Sequence, residues 1–150
     1  AYADDLMSII STTTEWTALE DTLQVYGRAS NAKVNLSKTV AFPMAPSYSS
    51  ALQTQLEHLE IQWHDHNSAD ALIYLGFPTF FNRDQEKGFW DKLMKKLQSA
   101  MAMHSPRTLS VLGRATIVNS LILSRLWHLS RVVKLPLGFL RKVKAAVSKF

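Results

Sequence analysis

Residues 1–10 read AYADDLMSII. Asp4 and Asp5 stand side by side in an otherwise apolar stretch. Adjacent carboxylates repel, and burying them ionised is costly unless a cation or hydrogen bonds offset the cost. The pair therefore asks for a metal ion, a proton or open water. Leu6 to Ile10 is apolar and partly β-branched, which predicts a short strand. Ala1 to Ala3 would then be the stub of its partner, with Asp4 and Asp5 at a hairpin turn. A tight hairpin presents carboxylates rigidly, and hard cations such as magnesium prefer carboxylate oxygen. Taken alone, an Asp-Asp pair reads first as a solvated turn, where aspartate is favoured.

The next segments alternate helix and strand. Thr12 and Glu15 have the spacing of a capping box. They predict a helix to about Arg28, with Trp16, Leu19, Leu23 and Tyr26 on one face. NAKVNLSKTVAF (residues 31–42) reads as a turn and a strand stopped by Pro43. Leu52, Leu56 and Leu59 predict a short helix, and IQWHDHNSAD (residues 61–70) a weak strand and polar turn. ALIYLGFPTFF (residues 71–81) reads as a strand ended by Gly76 and Pro78. His64 and His66 have metal-ligand spacing. With no further ligands nearby, a surface turn is expected there.

After Asn82 the period becomes helical. Trp90, Leu93, Leu97, Met101 and His104 share a face of a helix starting near Asp84 and broken by Pro106. A second helix is expected from Leu109 to about Val133, ended by Pro136, and a third from Gly138 to Phe150. Trp90, Met101 and Met103 read as core, and Trp127 and His128 as packed within the long helix. These periods predict an α+β chain with a β/α part at 1–82 and an all-helical part at 83–150.

Charge divides at the same place. The 150 residues carry a net charge of +5. Residues 1–82 hold three basic and nine acidic residues, and residues 83–150 fourteen basic and three acidic. A net of +11 on the rear segment points to a polyanionic partner or to solvated basic helix faces. The absence of cysteine excludes disulfides and thiolate chemistry. An intracellular setting is compatible with it. No run approaches the roughly eighteen apolar residues of a membrane span.

YADD flanked by strands resembles the polymerase signature of reverse transcriptases, and the likeness continues downstream in order. NAKVNLSKTVAF is similar to the next segment of the enzymes of non-LTR (LINE-type) retrotransposons, with Asn and Lys at the positions of Asn35 and Lys38. YLGFPTFF (residues 74–81) resembles their primer grip. LSVLGRATIVNSLILSRLWHLSRVVKLP (residues 109–136) resembles their thumb helices. Asn31 stands where the family often has glycine, and asparagine is well suited to the left-handed backbone such a turn needs.

The resemblance implies the C-terminal part of a right-hand polymerase palm followed by a helical thumb. It implies RNA-templated DNA synthesis with magnesium, or manganese. Asp4 would ligate metal, with Asp5 beside it in the motif. Lys38 would assist the pyrophosphate leaving group, and Tyr74, Leu75 and Gly76 would form the primer grip. The partners implied are an RNA template, a DNA primer and deoxynucleoside triphosphates, and the implied location is the nucleus. Lys92, Lys95, Lys96 and Arg114 are the expected phosphate contacts. The upstream metal-binding aspartate and the fingers are expected in a longer chain of which this is a piece. Two other readings stay open: a basic nucleic-acid-binding module without chemistry, and a decayed retroelement remnant.

Overall fold

The computed structural model describes residues 6–45 and 48–150. The chain is mixed α+β and mostly helical. It divides into two compact units, Ala1–Asn67 and Ser68–Phe150. Composition changes at Asn82, but the units part earlier, because the hairpin before Asn82 packs with the helices that follow it.

In the first unit, helix α1 spans Thr13–Ser30. The Thr12 hydroxyl accepts from the Glu15 N–H, and the Glu15 carboxylate accepts from the N–H groups of Ser11 and Thr12. The expected capping box is therefore present and satisfies donors that the first turn leaves free. Asn31 closes the helix at φ 58° in the left-handed region, as a C-terminal cap requires. The returning chain passes so close that a Cβ on Gly27 would lie 2.9 Å from the Ala32 carbonyl oxygen.

A single 3₁₀ turn (Leu36–Lys38) leads to β1 (Val40–Ala41). Helix α2 (Ser50–His58) then crosses to β2 (Gln62–Trp63). The two strands pair in parallel, Val40 with Gln62 and Ala41 with Trp63. Parallel pairing needs such a crossover. Trp16, Leu52, Leu56 and Ile61 form the buried core, with Ile10 and Leu19 packed against it.

Leu6 to Ile10 forms no strand. A strand needs a ladder partner, and among the described residues none pairs with this segment. Leu6 and Ile9 are 68 % and 72 % exposed.

In the second unit, residues 71–81 form a hairpin rather than one strand. β3 (Leu72–Tyr74) pairs antiparallel with β4 (Phe77–Thr79). Leu75 and Gly76 are the two-residue loop, at φ 51° and 83°. Two consecutive positive φ values mark the type I′ turn, whose twist matches that of the strands it joins. Gly76 thus turns the chain where the sequence suggested a strand end.

Helix α3 spans Arg83–His104, with the Asn82 side chain accepting from the Gln85 N–H at 2.7 Å. Gln85 is 1 % exposed. Its amide donates to the Ser68 carbonyl and accepts from the Phe81 N–H, both at 2.8 Å. A buried primary amide is tolerable only when satisfied in this way. It ties the approach to the hairpin, the exit from it and α3 together.

The second long helix begins with α4 (Val111–Ile117), passes through a π-helical turn (Val118–Leu123) and continues as α5 (Ser124–Ser130). The hydroxyls of Thr116 and Ser120 bond back to the carbonyls four residues earlier, at 2.9 and 2.6 Å. Such back-bonding competes for backbone acceptors, which fits the widened turn. Helix α6 (Leu137–Lys149) completes the unit. Trp90, Met94, Leu97 and Met101 of α3 meet Val118, Ile122, Leu126 and Leu129, with Phe139 and Val143 of α6. Their spacings of three and four residues are the helical stripe. It is centred on Met94, whereas Leu93 and His104 are only half-buried. Among the described residues no helix is long and apolar enough to cross a membrane.

Candidate nucleic-acid interface

Asp4 and Asp5 lie outside the described residues. Among those described, no three His, Asp or Glu side chains gather as a metal site.

Lys38 ends the 3₁₀ turn between α1 and β1, and its side chain is exposed. The turn is organised by Asn35. The Asn35 side-chain oxygen accepts from the Lys38 N–H at 3.2 Å and from the Ser37 hydroxyl at 2.7 Å. The Asn35 carbonyl accepts from the Thr39 hydroxyl at 2.9 Å. The two residues singled out in NAKVNLSK are thus joined by a direct hydrogen bond. Asparagine three residues ahead of Lys38 has N-cap spacing, a signal legible in the sequence.

Tyr74, Leu75 and Gly76 come together at the hairpin tip. Tyr74 and Leu75 are 41 % and 37 % exposed. Leucine at positive φ is strained, at a cost on the order of 1 kcal/mol or more. The tip is backed by α5. The His128 ring stacks on Phe77 with centroids 4.4 Å apart, and a Cβ on Gly76 would lie 3.0 Å from His128 Nε2. Sequence periodicity placed His128 and Trp127 inside the long helix. Instead His128 supports the hairpin from an exposed position, and Trp127 is 55 % exposed. Met103, at 69 %, is likewise outside the core that holds Trp90 and Met101.

Of the four expected phosphate contacts, Lys95 and Lys96 are exposed on α3. Lys92 forms an ion pair with Asp70, and both side chains are largely exposed. Arg114 of α4 donates to the Phe150 carbonyl at 2.5 Å, joining α4 to the end of α6. Lys92 to Phe150 includes twelve Lys and Arg residues and no Asp or Glu. All twelve are exposed. The acids of this unit sit at Asp70, Asp84, Glu86 and Asp91, before that stretch. A surface cationic over so long a run attracts polyanions.

His64 and Asp65 are not a surface turn: each is 7 % exposed. Burial pushes the Asp65 carboxyl up. The Asn67 N–H, 2.8 Å from Asp65 Oδ1, and the neighbouring His66 charge push it down. The Trp63 indole, near but without a well-aligned hydrogen bond, and the Asn67 amide add to that effect. The net value lies below the ordinary aspartate range. The arrangement locks the turn that follows β2, a role that alternating polar residues did not reveal.

Comparison with family models, with curated proteins and with solved structures gives no match to this chain.

Proposed function

We propose that the chain is the C-terminal palm and thumb segment of an RNA-directed DNA polymerase of the non-LTR retrotransposon type. The observation that carries the reading is the order of four motif segments, YADD, NAKVNLSKTVAF, YLGFPTFF and residues 109–136, along nearly the whole chain. The exposed hairpin tip and the acid-free stretch from Lys92 onward support it.

In this reading the primer's 3′-hydroxyl oxygen attacks the α-phosphorus of the incoming nucleotide and loses its proton to solvent. The bond from that phosphorus to the pyrophosphate oxygen breaks, and the oxygen keeps the electron pair. Lys38 gives that oxygen a proton and regains one from water. Magnesium or manganese, held by Asp4 and Asp5, would neutralise charge on the reacting phosphates. Tyr74, Leu75 and Gly76 contact the primer, and Lys95 and Lys96 the duplex backbone.

Primer extension on an RNA template by the complete polymerase chain tests this. Asp4→Asn is expected to abolish synthesis and leave template binding nearly intact. Normal synthesis by that variant overturns the assignment. The acid-free stretch favours one second reading, a binding module without chemistry. It predicts salt-dependent binding of an RNA–DNA hybrid with no synthesis by the unmodified chain.

A further inference from the structure

The geometry points to Asn35 as the positioning residue for Lys38. This rests on the polymerase reading, in which Lys38 protonates the leaving pyrophosphate. Lys38 is exposed and forms no ion pair among the described residues. Its ammonium sits at the end of a flexible four-carbon stem, so the region it can sweep is centred on where the backbone places its Cα. That backbone is a single 3₁₀ turn of three residues. One turn gains few hydrogen bonds for the dihedral angles it fixes, and without help it is marginal.

The help comes from Asn35. The Lys38 N–H is shared between the Asn35 carbonyl, at 3.1 Å, and the Asn35 side-chain oxygen, at 3.2 Å. The Ser37 hydroxyl bonds the same side-chain oxygen, and the Thr39 hydroxyl bonds the Asn35 carbonyl. The Thr39 N–H closes the turn on the Leu36 carbonyl at 3.0 Å. Every residue from Ser37 to Thr39 is therefore fastened to Asn35, directly or through the turn it starts. Asn35 touches no substrate in this account; it fixes the origin from which Lys38 reaches. Aspartate can supply the same acceptor oxygen, and alanine cannot.

The experiment measures single-turnover nucleotide incorporation by the complete polymerase chain, with the nucleotide dissociation constant and the solvent isotope effect as separate readouts. Lys38→Ala is expected to slow the maximal rate on the order of 100-fold, as loss of a general acid does. Asn35→Ala is expected to slow it about 3- to 10-fold, the range of a lost cap. Nucleotide affinity should hold, and the isotope effect should shrink toward that of Lys38→Ala. Asn35→Asp is expected to restore both rate and isotope effect. The double variant should be no slower than Lys38→Ala, because coupled residues are not additive. A merely structural role would weaken affinity and rate together and would add to Lys38→Ala. Asn35→Ala at the unmodified rate, with Lys38→Ala slow, overturns the inference and leaves the polymerase reading standing. Lys38→Ala at the unmodified rate overturns the inference and the role of Lys38. No synthesis by the unmodified chain overturns the polymerase reading itself, and the inference with it.

Discussion

The two units of this chain are held in opposite ways. Among its described residues the first buries four apolar side chains and relies on local polar devices: a capping box at Thr12, an asparagine cap at Asn31, an asparagine-nucleated turn at Asn35 and a satisfied aspartate at Asp65. The second buries ten apolar side chains on three helical segments, and from Lys92 onward every Lys, Arg, Asp or Glu position on its surface is Lys or Arg. A small core places greater relative weight on local hydrogen bonds, whereas a larger one tolerates a charged exterior. Stability in the first unit should therefore respond to pH and to single caps, and in the second to core volume and salt.

The largest expected effect is on the core of the second unit. Leu97 and Ile122 are fully buried, at 0 % exposure. Leu97→Ala should cost about 2–5 kcal/mol, the range for a buried leucine whose cavity relaxes only partly. Leu56→Ala, at 3 % exposure, should cost a similar amount in the first unit. Hydrogen exchange read segment by segment checks the comparison. Each variant should lose protection chiefly within its own unit; loss spread evenly over both would break the division at Asn67.

The hairpin tip comes next, with two changes of opposite sign. Gly76→Ala places a Cβ at positive φ and 3.0 Å from His128 Nε2, so it should destabilise the second unit by roughly 1–3 kcal/mol. Leu75→Asn replaces a strained leucine at φ 51° with a residue that accepts this conformation. It should stabilise by about 0.5–1 kcal/mol. Chemical denaturation midpoints measure both. Stabilisation by Leu75→Asn together with weaker primer binding would show that the strain is kept for contact.

These two residues also show where sequence reasoning stops. Periodicity located α1, α2, α3 and α6, because each carries an apolar stripe three and four residues apart and, in α1, a reciprocal cap. It misread Leu72 to Thr79 because Leu-Gly is not a usual type I′ pair, and Pro78 looked like a terminator. Proline is tolerated there because β4 is an edge strand. The strand predicted at Leu6–Ile10 failed for another reason: apolar character and β-branching describe a strand's side chains, not whether a partner exists for its backbone. His128 was unreadable because its contact is with a turn far away in sequence. Gln85, a polar residue one turn into a helix, gave no sign of burial. The site itself was legible only as motifs, and within them the three-residue spacing of Asn35 and Lys38 is the local signal of the cap that joins them.

The pH dependence of the first unit follows from Asp65. Its carboxyl is held below the ordinary value by the Asn67 N–H and the His66 charge, against the opposing effect of burial. Unfolded, it titrates near 3.9 or so. A depressed folded value means that the unfolded state binds the proton more readily. The contribution is thus fully present above about pH 5 and is lost as pH falls through the folded value. Denaturation of the first unit between about pH 5 and pH 2 should show this loss. Asp65→Asn should flatten the curve. An unchanged curve in that variant would mean that another carboxylate governs the unit.

The smallest expected effect concerns the ion pair of Lys92 with Asp70. Both side chains are more than half exposed, at 62 % and 67 %, so the pair contributes little to folding, below about 1 kcal/mol. Its interest lies in competition. A phosphate and Asp70 would claim the same ammonium, whereas Lys95 and Lys96 have no such rival among the described residues. If the α3 face meets a phosphate backbone, Lys95→Gln with Lys96→Gln should lower the slope of log affinity against log salt by up to about 0.9 per lost contact. Asp70→Asn frees Lys92 and should raise affinity for an RNA–DNA hybrid a few-fold at low salt. That gain should fade as salt approaches 1 M, where the screening length falls to about 3 Å. Folding should be unaffected, since glutamine is nearly as good a helix former as lysine. Titration of a labelled hybrid at several salt concentrations, with the unmodified chain and each variant, resolves the three lysines. An Asp70→Asn chain that binds like the unmodified one would place Lys92 off the phosphate path. The contact would then fall to Lys95 and Lys96 and to the cations of the later helices.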